Sequence, residues 1–204
     1  VFLAAFMRLS TSSFRSSQSI LIPRLVETFG WSYGAVGGAF ALQWVVSGAF
    51  GPPAGWMGDR YGVRVTMTVG ALLFILGMVL TSTVTHLWQF YLYFGLILSA
   101  SMGIFQVPLT AAVTLWFKKS LGWGMGLLQS SQGLGPVIAV PIILIIVQVM
   151  GLRAAFWVPG VAGGVFILFL IRMFYNEPAD VGLRPFGADE SEPIRSTQRG
   201  DVAA

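Results

Sequence analysis

Residues 65–117 read VTMTVGALLFILGMVLTSTVTHLWQFYLYFGLILSASMGIFQVPLTAAVTLWF, 53 positions without a single Asp, Glu, Lys or Arg. An α-helix needs about 20 apolar residues to cross the hydrocarbon of a bilayer, so this run holds two spans, with His86 in the turn between them. Working outward, residues 28–58, 120–152 and 154–171 are also free of charge. Only 10% of the 204 residues are charged, against about 25% in an ordinary soluble domain. Unpaired backbone amides are not tolerated in hydrocarbon, which leaves helices or a closed barrel. Period-two alternation is absent from these runs, and helices follow.

The expected spans are 1–23, 33–57, 65–84, 88–116, 123–150 and 154–175, one all-α transmembrane domain over residues 1–175. The remaining stretch, 176–204, holds six of the eight acids and three prolines. Its composition cannot bury a core and reads as a flexible cytoplasmic linker to a further segment. Chain start at Val1 implies an incomplete first helix, and Arg8 and Arg15 argue against a signal peptide. Cysteine is absent, which excludes disulfides and thiolate metal sites. The net charge of +4 would suggest nucleic acid in a soluble protein, but here it sets topology. Arg60, Arg64, Lys118, Lys119, Arg172, Arg184, Arg195 and Arg199 fall on one side, against Arg24 and Arg153 in loops on the other. Both termini are therefore expected in the cytoplasm, with the protein in a plasma or inner membrane.

Between the second and third spans lies Gly55-Trp56-Met57-Gly58-Asp59-Arg60-Tyr61-Gly62-Val63-Arg64, read as a tight charged turn. The glycines permit sharp turning and close helix approach, and Asp59 can pair with bases or cap a helix. Gly62-Val63-Arg64 has an echo in Gly151-Leu152-Arg153 before the sixth span, a faint sign of inverted three-helix repeats.

The loop resembles the signature loop of the major facilitator superfamily, and other segments agree in order. Phe29-Gly30-Trp31-Ser32, Trp116-Phe117, Gly122 with Gly126, Gly151-Leu152-Arg153-Ala154-Ala155-Phe156, and Glu177-Pro178 with Gly182-Leu183 are similar to the monocarboxylate and oxalate/formate type branch. Val63, Leu121 and Leu152 depart from that pattern, and Ala139-Val140 replaces the closing glycines of an antiporter-like Gly133-Leu134-Gly135-Pro136 segment. The resemblance covers about residues 15–187. It implies six helices arranged as two inverted repeats, forming the N-terminal half of a twelve-helix secondary transporter. A second six-helix half is then the partner, alongside the lipid bilayer and a small solute. Under this resemblance Gly55, Asp59, Arg60, Gly62 and Arg64 form a conformational-switch loop.

Arg8 and Arg15 are the charges inside a predicted span, where burial is costly. With Thr11, Ser12, Gln18 and Ser19 they form one polar stripe at helical spacing. Arg8 reads as snorkelling toward the interface and Arg15 as facing a watery cavity. Gln43, Gln106, Gln129 and Gln132 need partners too, either a neighbouring helix or solute and water. Arg15 with Gln18, Gln106 and Gln132 is the expected substrate site, and its cation selects an organic anion such as a monocarboxylate. Gly122, Gly126, Gly133 and Gly135 are expected at helix contacts, and Trp31, Trp88, Trp116 and Trp123 in interfacial belts. His86 reads as a solvated loop residue, a proton relay being the alternative.

An intramembrane enzyme is the rival class. No span holds an acid, His86 is outside the membrane and no His-Glu-x-x-His motif occurs, so neither enzyme chemistry nor a metal or cofactor is expected. A non-transporting six-helix fragment or partner is the other alternative.

Overall fold

The computed structural model describes residues 21–116 and 121–172. Arg8, Arg15, Gln18, Lys118, Lys119 and the expected linker lie outside them. All described secondary structure is helical, and five helices are long and apolar enough to cross a membrane. The fold is that of an all-α polytopic membrane protein.

Helix α1 occupies 21–29, six residues beyond the expected end at 23, so Arg24 belongs to a helix and not to a loop. Charge marks the edge of the hydrocarbon, whereas helical hydrogen bonding carries on through the headgroups. Arg24 Nη1 meets Glu27 Oε2 at 3.4 Å one turn on, both exposed. The stop is Gly30, whose φ of 68° suits glycine and whose N–H closes on the Val26 carbonyl at 2.9 Å.

The second span is two helices in line, α2 (Tyr33–Ala49) and α3 (Gly51–Tyr61), instead of one helix over 33–57. Pro52 and Pro53 have no N–H to give the Gly48 and Ala49 carbonyls, so the ladder is interrupted there while Phe50 keeps its bonds to Val46 and Ala54. Asp59, Arg60 and Tyr61 extend the last turn of α3, and the expected charged loop shrinks to one residue, Gly62, at φ 88°. Helix α4 (Val63–Ser82) follows at once. After a short turn come α5 (Leu87–Phe90), a π-helical segment (Tyr91–Leu98) and α6 (Ser99–Trp116). Gln89 Oε1 holds that turn by accepting from Thr85 N, Thr85 Oγ1 and His86 N at 3.0–3.2 Å. Helix α7 (Leu121–Met150) runs through Pro136 and Pro141, then Gly151 at φ 87° turns the chain into α8 (Ala154–Arg172).

Helix α4 is the hub, packed on α8, α6, the π segment and α3. It runs antiparallel to α8, because Arg64 Nη2 donates to the Arg172 carbonyl at 2.9 Å, joining the start of one to the end of the other. Gly62 and Gly151, with nearly equal φ, therefore lie at opposite ends of this pair, which gives the sequence echo a geometric basis. Close approach is built on glycine. Gly160 and Gly164, four apart on α8, sit against Met78 and Ile75 of α4, and a Cβ at Gly77 would lie 3.0 Å from the Leu98 Cα. Ser101 Oγ donates to the Gly70 carbonyl at 3.0 Å, tying α6 to α4.

At the other end of the bundle an aromatic series links α1, α2, α5 and the π segment. Phe29 stacks on Trp31 (4.6 Å), Trp31 meets Phe90 (5.6 Å), Phe90 stacks on Phe94 (4.8 Å), and Phe94 takes Phe40 edge-on (4.8 Å). Of the four tryptophans expected in interfacial belts, Trp31 is half-buried and stacked, Trp88 and Trp123 are exposed, and the Trp116 side chain lies outside the described residues. Helix α7 contacts α8 and α6 but leaves Leu134, Val137, Ile142, Ile145 and Val149 exposed. Among the described residues, Gly122, Gly126 and Gly133 are exposed with no atom within 4 Å of an added Cβ, whereas Gly135 of the same helix is buried.

Candidate functional site

Two places carry the residues singled out by sequence. The first is the end of the bundle where α3 meets α4. Asp59 and Arg60 lie in the last turn of α3, exposed, and Gly62 separates them from Arg64. Asp59 has no ion-pair partner among the described residues. Arg60 lies over two rings, its guanidinium carbon 5.4 Å from the Trp56 centroid and 5.9 Å from that of Tyr61. Arg64 is engaged with the α8 terminus. Gly58 is buried, and Gly55 would carry a Cβ 3.7 Å from Val107 of α6, an ordinary contact. Among the loop residues Gly62 alone therefore demands glycine, through its φ.

The second place is the expected substrate site. Gln106 is exposed on α6, and its carbonyl accepts from Thr110 Oγ1 at 3.0 Å. Gln132 belongs to α7, which touches α6, but its side chain lies outside the described residues, as do Arg15 and Gln18 entirely. Gln129 is exposed and engaged. The structure thus puts Gln106 and Gln132 on neighbouring helices and is silent on how they stand to Arg15.

Gln43 stands apart from these. It is 1% exposed in α2, and its Nε2 has no hydrogen-bond partner among the described residues. A buried amide donor left unpaired costs about 1–3 kcal/mol, and other buried polar groups here avoid that cost. Thr66 and Thr81 donate to carbonyls one turn back, and Ser99 Oγ donates to the Phe94 carbonyl inside the π segment. Sequence placed Gln43 among several polar residues in apolar runs without separating it from them. Only burial distinguishes it, and burial depends on which face of α2 turns inward.

Each residue of Phe29-Gly30-Trp31-Ser32 has a local role: Phe29 and Trp31 stack, Gly30 stops α1, and Ser32 Oγ caps α2 by accepting from Ala35 N at 3.1 Å. The motif is a helix stop followed by a helix start.

Comparison with known proteins agrees with this architecture. A family model described as Major Facilitator Superfamily matches residues 1–200. The "Oxalate:formate antiporter" of Oxalobacter formigenes is 26% identical over 185 residues, 89% of this chain and 43% of that protein. "Monocarboxylate transporter 11" of Mus musculus is 24% identical over 139 residues, 68% of this chain and 31% of that protein. The inward-open xylose transporter XylE from E. coli superposes with a TM-score of 0.74 at 15% identity, over 87% of this chain and 48% of that one. The chain spans less than half the length of each of these relatives.

Proposed function

Because the chain belongs to the major facilitator superfamily, we propose that it supplies one six-helix half of a secondary transporter that moves a small organic anion by alternating access. The family match over residues 1–200 carries this reading. Both termini and the α3–α4 turn face the cytoplasm of a plasma or inner membrane, following the basic-residue bias. A second half, the N-terminal one being here, completes a central site, and the two rock about it.

Arg15 binds the anionic group, with Gln18, Gln106 and Gln132 as neutral hydrogen-bond donors beside it. An arginine fork holds a carboxylate bidentately, and partial desolvation strengthens the attraction. Two relatives with carboxylate names support the anion assignment, as does the placement of Glu27 and Asp59, the acids of the described helices, in last turns and not mid-span. No covalent chemistry and no cofactor enter the cycle. Asp59, Arg60 and Arg64, with Gly55 and Gly62, belong to the switch between states and not to the solute site.

The test is uptake of labelled oxalate, formate and lactate into proteoliposomes holding the full-length gene product, native and Arg15→Ala. Anion uptake that the substitution weakens by about 2–5 kcal/mol in apparent binding is expected. Uptake of none of these anions, or unchanged affinity in Arg15→Ala, refutes the anion site.

A further inference from the structure

At the end of the second span an exposed cation is held between two exposed rings. Trp56 and Tyr61 are 56% and 53% exposed, their centroids 6.0 Å apart and nearly perpendicular, with Arg60 within 6 Å of both. No carboxylate among the described residues lies within ion-pair distance of Arg60. Asp59 next to it is 100° round the helix and leaves it unneutralised by contact.

The depth of this cluster follows from helix length. Tyr33–Tyr61 is 29 residues, about 43 Å at about 1.5 Å per residue. Hydrocarbon occupies about 30 Å of that and headgroups most of the rest, so roughly four residues at each end stand among headgroups. Trp56 lies at that boundary and Arg60 and Tyr61 beyond it. Trp and Tyr settle at this level because one edge of each ring is polar and the body is not. A guanidinium fixed over their faces keeps its N–H edge free, and two parallel N–H groups match a phosphate. The same bundle end carries Arg64 and Arg172, adding positive potential.

We infer that Trp56, Arg60 and Tyr61 form a binding site for the phosphate of an anionic phospholipid headgroup. The rings set the depth and orientation of Arg60, and Arg60 makes the charge contact. Solute need not be bound for the site to fill.

The test is native mass spectrometry of the purified full chain in detergent, titrated separately with phosphatidylglycerol and phosphatidylcholine. Circular dichroism and monodisperse elution serve as the check of fold. About a fivefold preference for phosphatidylglycerol is expected, the size of one interfacial basic residue. Arg60→Gln should remove it, Trp56→Leu should lower it, and Arg153→Gln at the opposite end should leave it intact. Arg60→Lys keeps charge and packing but loses the fork, so a partial loss there tests the same point if Arg60→Gln fails to fold. Undiminished preference in Arg60→Gln or Arg60→Lys overturns the site, and undiminished preference in Trp56→Leu overturns the ring clamp. Full displacement of lipid by millimolar inorganic phosphate would mark a free-anion site and overturn the lipid assignment.

Discussion

Replacing Gly160 or Gly164 by alanine adds the same single carbon to the same helix face, yet the two changes should differ in cost. At Gly160 the new Cβ collides with the Cβ of Met78 and lies 3.0 Å from its Cγ. Met78 is fully buried, and a Cβ moves only with its backbone, so α4 and α8 must separate. At Gly164 the collision is with Cγ1 of Ile75, and Cδ1 stands at 2.7 Å. Those atoms belong to a partly exposed side chain, so relief there needs a χ1 change, which a β-branched residue in a helix resists, but no backbone movement. Overpacking a close contact costs about 1–3 kcal/mol, and we expect Gly160→Ala near the top of that range and Gly164→Ala near the bottom. Second-site changes sharpen the contrast. Ile75→Ala removes the colliding atoms and should relieve Gly164→Ala, with a coupling of about 1 kcal/mol. Met78→Ala retains the colliding Cβ and should not relieve Gly160→Ala. Unfolding in detergent, followed by intrinsic fluorescence and by loss of monodisperse elution, reads the native protein, the four single variants and the two double variants. Equal costs at the two glycines, or rescue of Gly160→Ala by Met78→Ala, would refute the glycine-packed account of α4 and α8.

Gln43→Leu removes the unpaired amide with little change of volume, so stability should hold or rise by about 1 kcal/mol in the same unfolding assay; a loss above about 2 kcal/mol would show that Nε2 has a partner. Asp59→Asn should slow transport while leaving equilibrium solute binding nearly unchanged, and lost binding with an intact fold would count against a switching role. A single cysteine at Ser120 in this cysteine-free chain should resist impermeant thiol reagent applied from outside, and external labelling would invert the assigned topology.

The spans were legible because uncharged length is a direct report of hydrocarbon thickness, and the 53-residue run could hold nothing else. Their ends were less so. Hydropathy falls at Pro23 and at Met57, but the helices run on to 29 and 61, because the interface accepts charge without breaking backbone hydrogen bonds. The π segment left no mark in the sequence: its eight residues, Tyr-Leu-Tyr-Phe-Gly-Leu-Ile-Leu, read like any apolar helix. The sequence reading singled out glycines of α7 for helix contacts and passed over those of α8, because composition does not say which faces are neighbours. Among the described residues, those at 160 and 164 make contacts, and those at 122, 126 and 133 do not. The substrate residues remain a reading of the sequence, since Arg15 and Gln18 lie outside the described residues. Gln43 was seen as polar but not as buried, a property of packing that no local pattern encodes.

The one-residue turn at Gly62 also bears on how the protein is made. With nothing but Gly62 between α3 and α4, neither span can settle in the bilayer while the other waits outside it. The second and third spans form a hairpin, with Arg60 and Arg64 on either arm of its tip. Lengthening this turn with a polar insert would let the third span insert by itself, and in either direction. The turn's brevity thus ties the orientation of one span to that of the next during synthesis, before any packing between them has formed.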